Sequence, residues 1–228
     1  MGKVYGDVFD RRTIRNLNSL RSKGYYDNIR GILSSGKESA VFLAEKEGKP
    51  LAAKVYMIEK LSFDKIWDYV HGDPRFFHVK KSFPNIMYAW CEKEFSNLVK
   101  ARKAGVPCPK PIKFSKNVLL MEFIGKGWNA SQRAKDEPPS LPNTWYKSML
   151  SSIKKLYKKE GLIHGDLSEY NVLNHEDNPV MIDFSQGVLS EHPLSEKFLE
   201  RDVRNVNAWF SKLGVKTKKE EEILEKLR

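Results

Sequence analysis

The sequence predicts an α+β fold in two lobes, an antiparallel sheet with a helix in the first half and a mainly helical second half. Three observations lead there. Two β-rich runs, residues 40–44 (Ala-Val-Phe-Leu-Ala) and 51–57 (Leu-Ala-Ala-Lys-Val-Tyr-Met), flank the turn signal Glu47-Gly48-Lys49-Pro50 and read as a hairpin. Pro138, Pro139 and Pro142 break the chain near its middle. Beyond them, apolar residues recur at the three-to-four-residue spacing of helices that bury one face.

Taken in order, Phe9, Ile14, Leu17 and Leu20 predict a short helix over about 8–22. Residues 31–39 (Gly-Ile-Leu-Ser-Ser-Gly-Lys-Glu-Ser) read as a small-residue turn leading into the hairpin. Residues 58–83 mix Trp67, Tyr69, Phe76 and Phe77 with charges and form an insertion, ordered or mobile. Asn85 as N-cap, with Met87, Cys91, Phe95 and Leu98 on one face, predicts a helix that Gly105 and Pro107 end. Strands follow at 110–114 and 117–124, and 125–144 reads as the joint between the lobes. Trp145, Met149, Ile153, Leu156 and Tyr157 mark the next helix, and Phe198, Leu199, Val203, Val206 and Trp209 one over about 193–213. The chain reads as a single domain over 1–228, with a first lobe of about 1–124 holding the N-terminal helix and the 58–83 insertion, and a second of about 125–228.

Composition excludes several classes. At 228 residues and 40% hydrophobic content the chain can bury a sizeable core. No apolar run approaches the ~20 residues of a membrane span, and the start lacks the apolar segment of a secretory signal. Cys91 and Cys108 cannot make a disulfide framework, which points to a reducing, cytoplasmic compartment. The net charge of +11 favours a polyanionic partner, a nucleic acid or ribonucleoprotein, over a surface that is merely solvated.

The motif that carries chemistry is His164-Gly-Asp-Leu-Ser-Glu-Tyr-Asn171, followed by the apolar run Val180-Met-Ile182 and Asp183. Phosphoryl transfer from ATP needs a carboxylate at the acceptor hydroxyl, oxygen ligands holding a divalent metal on the phosphates, and a cation fixing those phosphates. Asp166 is the candidate base or acceptor-orienting group, with Asn171 and Asp183 as Mg2+ ligands, Mn2+ being an alternative metal. Lys54 is the candidate cation, and it shares a strand face with Ala52 and Tyr56. Glu94 falls on the apolar stripe of its helix between Cys91 and Leu98, where a lone carboxylate is costly. An ion pair with Lys54 would satisfy both and aim the ammonium at ATP. Backbone amides and hydroxyls around Ser34, Ser35, Gly36, Lys37 and Ser39 can cradle phosphates, although Glu38 stands where a Walker motif has Ser or Thr. Backbone groups at Glu122 and Ile124 are candidates for adenine. Asp202 reads as support for the catalytic-loop backbone, and His164 as a packing residue.

Together, Ser35-Gly-Lys-Glu-Ser39, Lys54, Trp90-Cys-Glu-Lys-Glu94-Phe, Pro107-Cys-Pro-Lys-Pro111, the His164–Asn171 run and Ile182-Asp183-Phe-Ser-Gln186 resemble the RIO atypical protein kinases over about residues 8–213. The insertion with Gly72-Asp-Pro-Arg-Phe76 resembles the type-one subfamily, and the compact length resembles its archaeal members. The resemblance implies a bilobal protein-kinase-like fold lacking the activation loop and substrate-binding helices. It implies serine/threonine kinase and ATPase activity, serine autophosphorylation, an aspartyl-phosphate intermediate at Asp183, and a role on the maturing small ribosomal subunit, with its rRNA and proteins as partners. Aminoglycoside and choline kinases share the His-Gly-Asp…Asn and Ile-Asp pattern, so small-molecule phosphotransfer is the rival enzyme class. An ATP-gated, non-catalytic ribosome-binding module is the rival outside enzymes. The protein substrate is not legible.

Overall fold

The structure, a computed structural model, describes residues 10–36, 38–57 and 63–228. Lys37, Phe9 and part of the insertion (58–62) lie outside the described residues. The chain divides into two compact units, one of residues 1–71, 76–95 and 110–123, the other of 72–75, 96–109 and 124–228. Residues 72–75 and 96–109, assigned to the first lobe from sequence, therefore group with the second unit.

In the first unit, helix α1 (Arg11–Ser22) begins where the Asp10 carboxylate accepts the Thr13 N–H at 2.6 Å, an N-cap. It buries Thr13, Leu17 and Leu20, while Ile14, expected on the apolar face, is exposed. Five antiparallel strands follow: β1 (Asn28–Ser35), β2 (Ser39–Lys46), β3 (Lys49–Tyr56), β4 (Pro111–Ser115) and β5 (Val118–Glu122), in the spatial order β1-β2-β3-β5-β4. The expected turn over 31–39 is corrected here. Residues 31–35 belong to β1, with Ser34 opposite Val41 and Ser35 opposite Ala40, and β2 begins at Ser39. The small, mostly exposed residues of this edge strand carry turn propensity, and pairing with β2 overrides it.

Leu17, Leu20, Tyr26, Phe42, Ala53, Val55 and Leu120 form one core on the α1 side of the sheet. Asn117 ties α1 to the sheet: its buried amide donates to Thr13 Oγ1 at 2.8 Å and to the Tyr56 carbonyl at 2.9 Å. Part of the insertion is ordered as helix α2 (Phe63–His71) and a 3-10 turn (Pro74–Phe76). Helix α3 (Phe83–Ala104) starts two residues before the expected Asn85 cap: Ile86 N–H bonds the Ser82 carbonyl at 3.1 Å, so Ser82 holds the capping position. It ends as expected at Gly105, whose φ of +78° suits a residue without Cβ. Residues of α3 up to Phe95 belong to the first unit and from Ser96 to the second.

In the second unit, residues 125–144 are more than a joint. They form β6 (Gly125–Lys126), β7 (Asn129–Ala130) and β8 (Gln132–Arg133), and β8 is the third strand of a sheet with β10 (Val172–His175) and β11 (Asn178–Met181). Helix α4 (Pro142–Glu160) carries Pro at its start and stops at Gly161 in the left-handed region. β9 (Leu162–Ile163) pairs with β12 (Val188–Leu189), and α5 (Ser195–Lys212) buries Phe198, Leu199, Val203, Val206 and Phe210. A last helix absent from the sequence reading, α6 (Glu220–Leu227), buries Ile223, Leu224 and Leu227.

Glu160, the last residue of α4, accepts from Lys103 Nζ at 2.8 Å and Lys100 Nζ at 3.4 Å, both from the end of α3. The Lys103 hydrogen bond above all holds the Glu160 carboxyl below its usual range, against the opposing effect of burial. A carboxylate whose pKa falls on folding stabilises the fold above its unfolded pKa, and that gain is lost as pH falls through the folded value. Water screens the exposed lysines, so Glu160→Gln should cost only ~0.5 kcal/mol at neutral pH. Urea titrations should show the difference fading on acidification.

Candidate active site

Two groups of polar residues stand out, one in each unit. In the first, Ala53 and Val55 of β3 turn into the core, so the period-two pleat turns Ala52, Lys54 and Tyr56 to the opposite face. The expected ion pair is there. Lys54 Nζ lies 2.9 Å from Glu94 Oε1, with the two residues only 4% and 1% exposed. The Tyr56 hydroxyl bonds the second carboxylate oxygen, Oε2, so Glu94 is held at both oxygens. Glu92, one turn-step away, is exposed, as its position off the stripe requires.

The residues assigned to nucleotide binding are more scattered. Ser34, Ser35 and Gly36 are exposed at the end of β1, Gly36 N–H bonds the Ser39 carbonyl at 2.9 Å, and Ser39 opens β2 opposite Tyr56. At the positions assigned to adenine, Glu122 N–H donates to the Lys110 carbonyl at 2.8 Å, and the Ile124 carbonyl accepts from Ser131 N–H at 3.0 Å. The Glu122 side chain accepts from Lys110 N–H at 2.9 Å.

In the second unit, the β10–β11 hairpin brings the acidic residues together. Its register pairs Val172 with Met181, and Ile182 N–H bonds the Asn171 carbonyl at 2.9 Å, so Asn171 and Asp183 leave the same end of the hairpin. Asn171 Nδ2 donates to the Asp166 carbonyl at 2.7 Å and to Asp166 Oδ2 at 3.0 Å. That orients the amide oxygen of Asn171 away from Asp166. Asp183 sits at φ +59°, a left-handed conformation costing an L-residue about 1–2 kcal/mol, and Ser185 Oγ donates to its Oδ1 at 2.7 Å. One amide oxygen and one carboxylate are hard donors that fit Mg2+, which keeps its other positions for phosphate oxygens and water.

Burial pushes the Asp166 carboxyl above its usual range; His164 opposes this, Asp183 adds to it, and Asn171 and Arg201 oppose it. A carboxylate raised in this way is a stronger base for an acceptor hydroxyl. The loop carrying it is fixed from behind. Asp202, buried on α5, accepts Gly165 N–H at 2.8 Å and Leu167 N–H at 2.9 Å. His164 Nε2 lies 3.0 Å from the Ile182 carbonyl, and its ring packs on Phe184 at 4.6 Å between centroids. Arg201 donates to the Gly165 carbonyl. Gly165 has φ +80°, and a Cβ there would come within 2.8 Å of the Gln186 carbonyl oxygen.

The contacts of three residues were missed from sequence. Gln186 Nε2 reaches Asp166 Oδ2 at 3.3 Å. Asn97, fully buried, donates to the carbonyls of Phe184 and Gly187, each at 2.8 Å. Arg201 was missed too; only Asn97 left a signal, a polar residue one turn past Glu94 and one turn before the apolar Ala101.

A family profile for the RIO domain matches residues 40–223, four-fifths of the chain. The chain belongs to the RIO family. It is 40% identical over 213 residues to the RIO-type serine/threonine-protein kinase Rio1 of Methanocaldococcus jannaschii, covering 93% of this chain and 73% of that one. It is 37% identical to the serine/threonine-protein kinase RIO1 of Saccharomyces cerevisiae, over 92% of this chain but 49% of the yeast protein. Among solved structures, the Rio2 kinase of Chaetomium thermophilum in its ADP/Mg2+–phosphoaspartate complex matches with a TM-score of 0.70 at 22% identity, over 92% of this chain and 64% of that one. At that identity the likeness speaks for the fold, which is protein-kinase-like. Membership places this RIO chain among the ATP-dependent serine/threonine kinases of the Rio1 type. No helix among the described residues is long and apolar enough to cross a membrane.

Proposed function

We propose that this RIO protein transfers the γ-phosphoryl group of Mg-ATP to serine hydroxyls, its own included, and hydrolyses ATP. The observation that carries this is the Asp166–Asn171–Asp183 arrangement at one end of the β10–β11 hairpin, with Asn171 turned by Asp166 so that its oxygen is available to a metal. Bound Mg2+ supplies charge neutralisation on the phosphates. Asn171 and Asp183 would hold it, Asp166 would orient the acceptor and take its proton, and Lys54, fixed by Glu94, would hold phosphates. The full chain, 1–228, acts as one catalytic domain. Ser34, Ser35, Gly36 and Ser39 cover the phosphates, and the Glu122 carbonyl and Ile124 N–H meet the adenine.

The Rio2 structure from Chaetomium thermophilum contains a phosphoaspartate. Asp183, in its left-handed conformation, is the residue proposed to accept phosphate here. The charge of +11 supports a ribosomal partner, and the small subunit during its maturation is the proposed setting. Cys91 and Cys108, both buried and not joined in a disulfide, suit a cytoplasmic location.

Incubation with radiolabelled ATP and Mg2+ tests the reading. Label should appear on the protein, part of it stable on serine and part cleaved by hydroxylamine as an acyl phosphate. EDTA should abolish both. Rapid labelling of an aminoglycoside or choline with none on protein would favour the small-molecule enzyme, and ATP binding without any transfer would favour the non-catalytic module.

A further inference from the structure

The turn after Asp183 holds more than its own acid. Its four residues, Phe184–Gly187, carry a side-chain donor to each of the two carboxylates that flank the chemistry. Ser185 Oγ donates to Asp183 Oδ1 at 2.7 Å, and Gln186 Nε2 donates to Asp166 Oδ2 at 3.3 Å. The turn is itself pinned. Asn97 from α3 bonds the carbonyls at its two ends, Phe184 and Gly187, each at 2.8 Å. There is no slack around that clasp: a Cβ on Gly187 would lie 2.8 Å from Asn97 Nδ2, 3.1 Å from the Phe184 carbonyl oxygen and 3.2 Å from that of Ile163. On the other side the Gln186 carbonyl oxygen leaves no room for a side chain at Gly165, the residue before Asp166.

We propose that Gln186 is a positioning residue for phosphoryl transfer, its amide fixing the Asp166 carboxylate through a turn that Asn97 clamps. This rests on the function proposed above. Asp166 Oδ2 then accepts from Asn171 and Gln186 together, one donor from the catalytic loop and one from the turn after Asp183. Two converging donors confine the rotation of the carboxylate and leave Oδ1 as the atom presented to an acceptor hydroxyl. Orientation of this kind acts on the chemical step and leaves ground-state nucleotide binding untouched. A glutamine that merely satisfied its own amide would leave catalysis unchanged when replaced by an apolar side chain of similar length.

The test is Gln186→Met, which keeps length and removes the donor, studied in the full chain by single-turnover autophosphorylation, ATP binding and urea unfolding. The expected result is a rate lowered about tenfold, with Kd for ATP within about twofold of wild type and an unchanged unfolding midpoint. Asn97→Ala, which loosens the turn, should lower the rate in the same direction. Independently of activity, the side-chain amide resonances of Gln186 should move in Asp166→Ala, because their acceptor is gone. Wild-type rate in Gln186→Met, a loss confined to Kd or to stability, or Gln186 resonances indifferent to Asp166→Ala would each overturn the proposal. If wild type itself transfers no phosphate, the proposed function falls, while the amide resonances still report whether the Gln186–Asp166 contact exists.

Discussion

Asp166→Ala is expected to bind Mg-ATP with near wild-type affinity and to lose phosphoryl transfer by at least about 10³-fold. A positioned general base contributes about 10²–10⁴-fold in rate, and in the role proposed for it Asp166 also fixes the acceptor. Its removal leaves Asn171 Nδ2 still bonded to the backbone carbonyl of residue 166, so the proposed metal ligand keeps its orientation. The neighbouring loop also stays in place, because Asp202 and Arg201 hold it through the backbone. Burial raises the Asp166 carboxyl, so losing this group removes a buried charge, and the variant should unfold at a urea concentration no lower than wild type. Isothermal titration with an ATP analogue, beside a labelled-ATP assay, separates binding from chemistry. A variant that turns over at the wild-type rate removes Asp166 from its role.

Replacing Lys54 should be nearly as damaging to turnover, for a different reason, and it carries a structural cost that must be measured alongside. A cation aimed at the phosphates is worth roughly 10²–10⁴-fold. The same ammonium also neutralises Glu94, which is 1% exposed. Removing one partner of a buried pair costs about 3–5 kcal/mol when the other charge is stranded. Here the Tyr56 hydroxyl still bonds Glu94, which moderates that loss. Lys54→Met should therefore lower both turnover and the unfolding free energy. Lys54→Met with Glu94→Gln removes both charges, so it should recover much of the stability and none of the turnover. Turnover that returns together with stability in the double variant would show Lys54 to be structural only.

The contrast between these residues and those missed says what a sequence can display. Lys54 and Glu94 were legible because each interrupts an apolar pattern, and a charge on a buried face requires a partner. Asp202 was legible by the same logic. The edge strand β1 was not, because its small exposed residues carry turn propensity and only pairing with β2 makes them a strand. The short helix α6 follows a run of Lys and Glu, and its three buried side chains span less than two turns. Gln186 was quoted as part of a motif, yet its contact joins residues 20 apart through the folding back of β10 onto β11. Polar residues on loops acquire partners only in three dimensions. The backbone bonds at Glu122 and Ile124 belong to that same class of information.

One measurement addresses the central claim directly: a crystal structure of the protein with a non-hydrolysable ATP analogue and Mg2+. The expected density shows the metal on the Asn171 amide oxygen and the Asp183 carboxylate, Lys54 Nζ on the phosphates, and an Asp166 oxygen beside the γ-phosphate. A nucleotide bound elsewhere, with Asp166, Asn171 and Asp183 all facing bulk water, would contradict it.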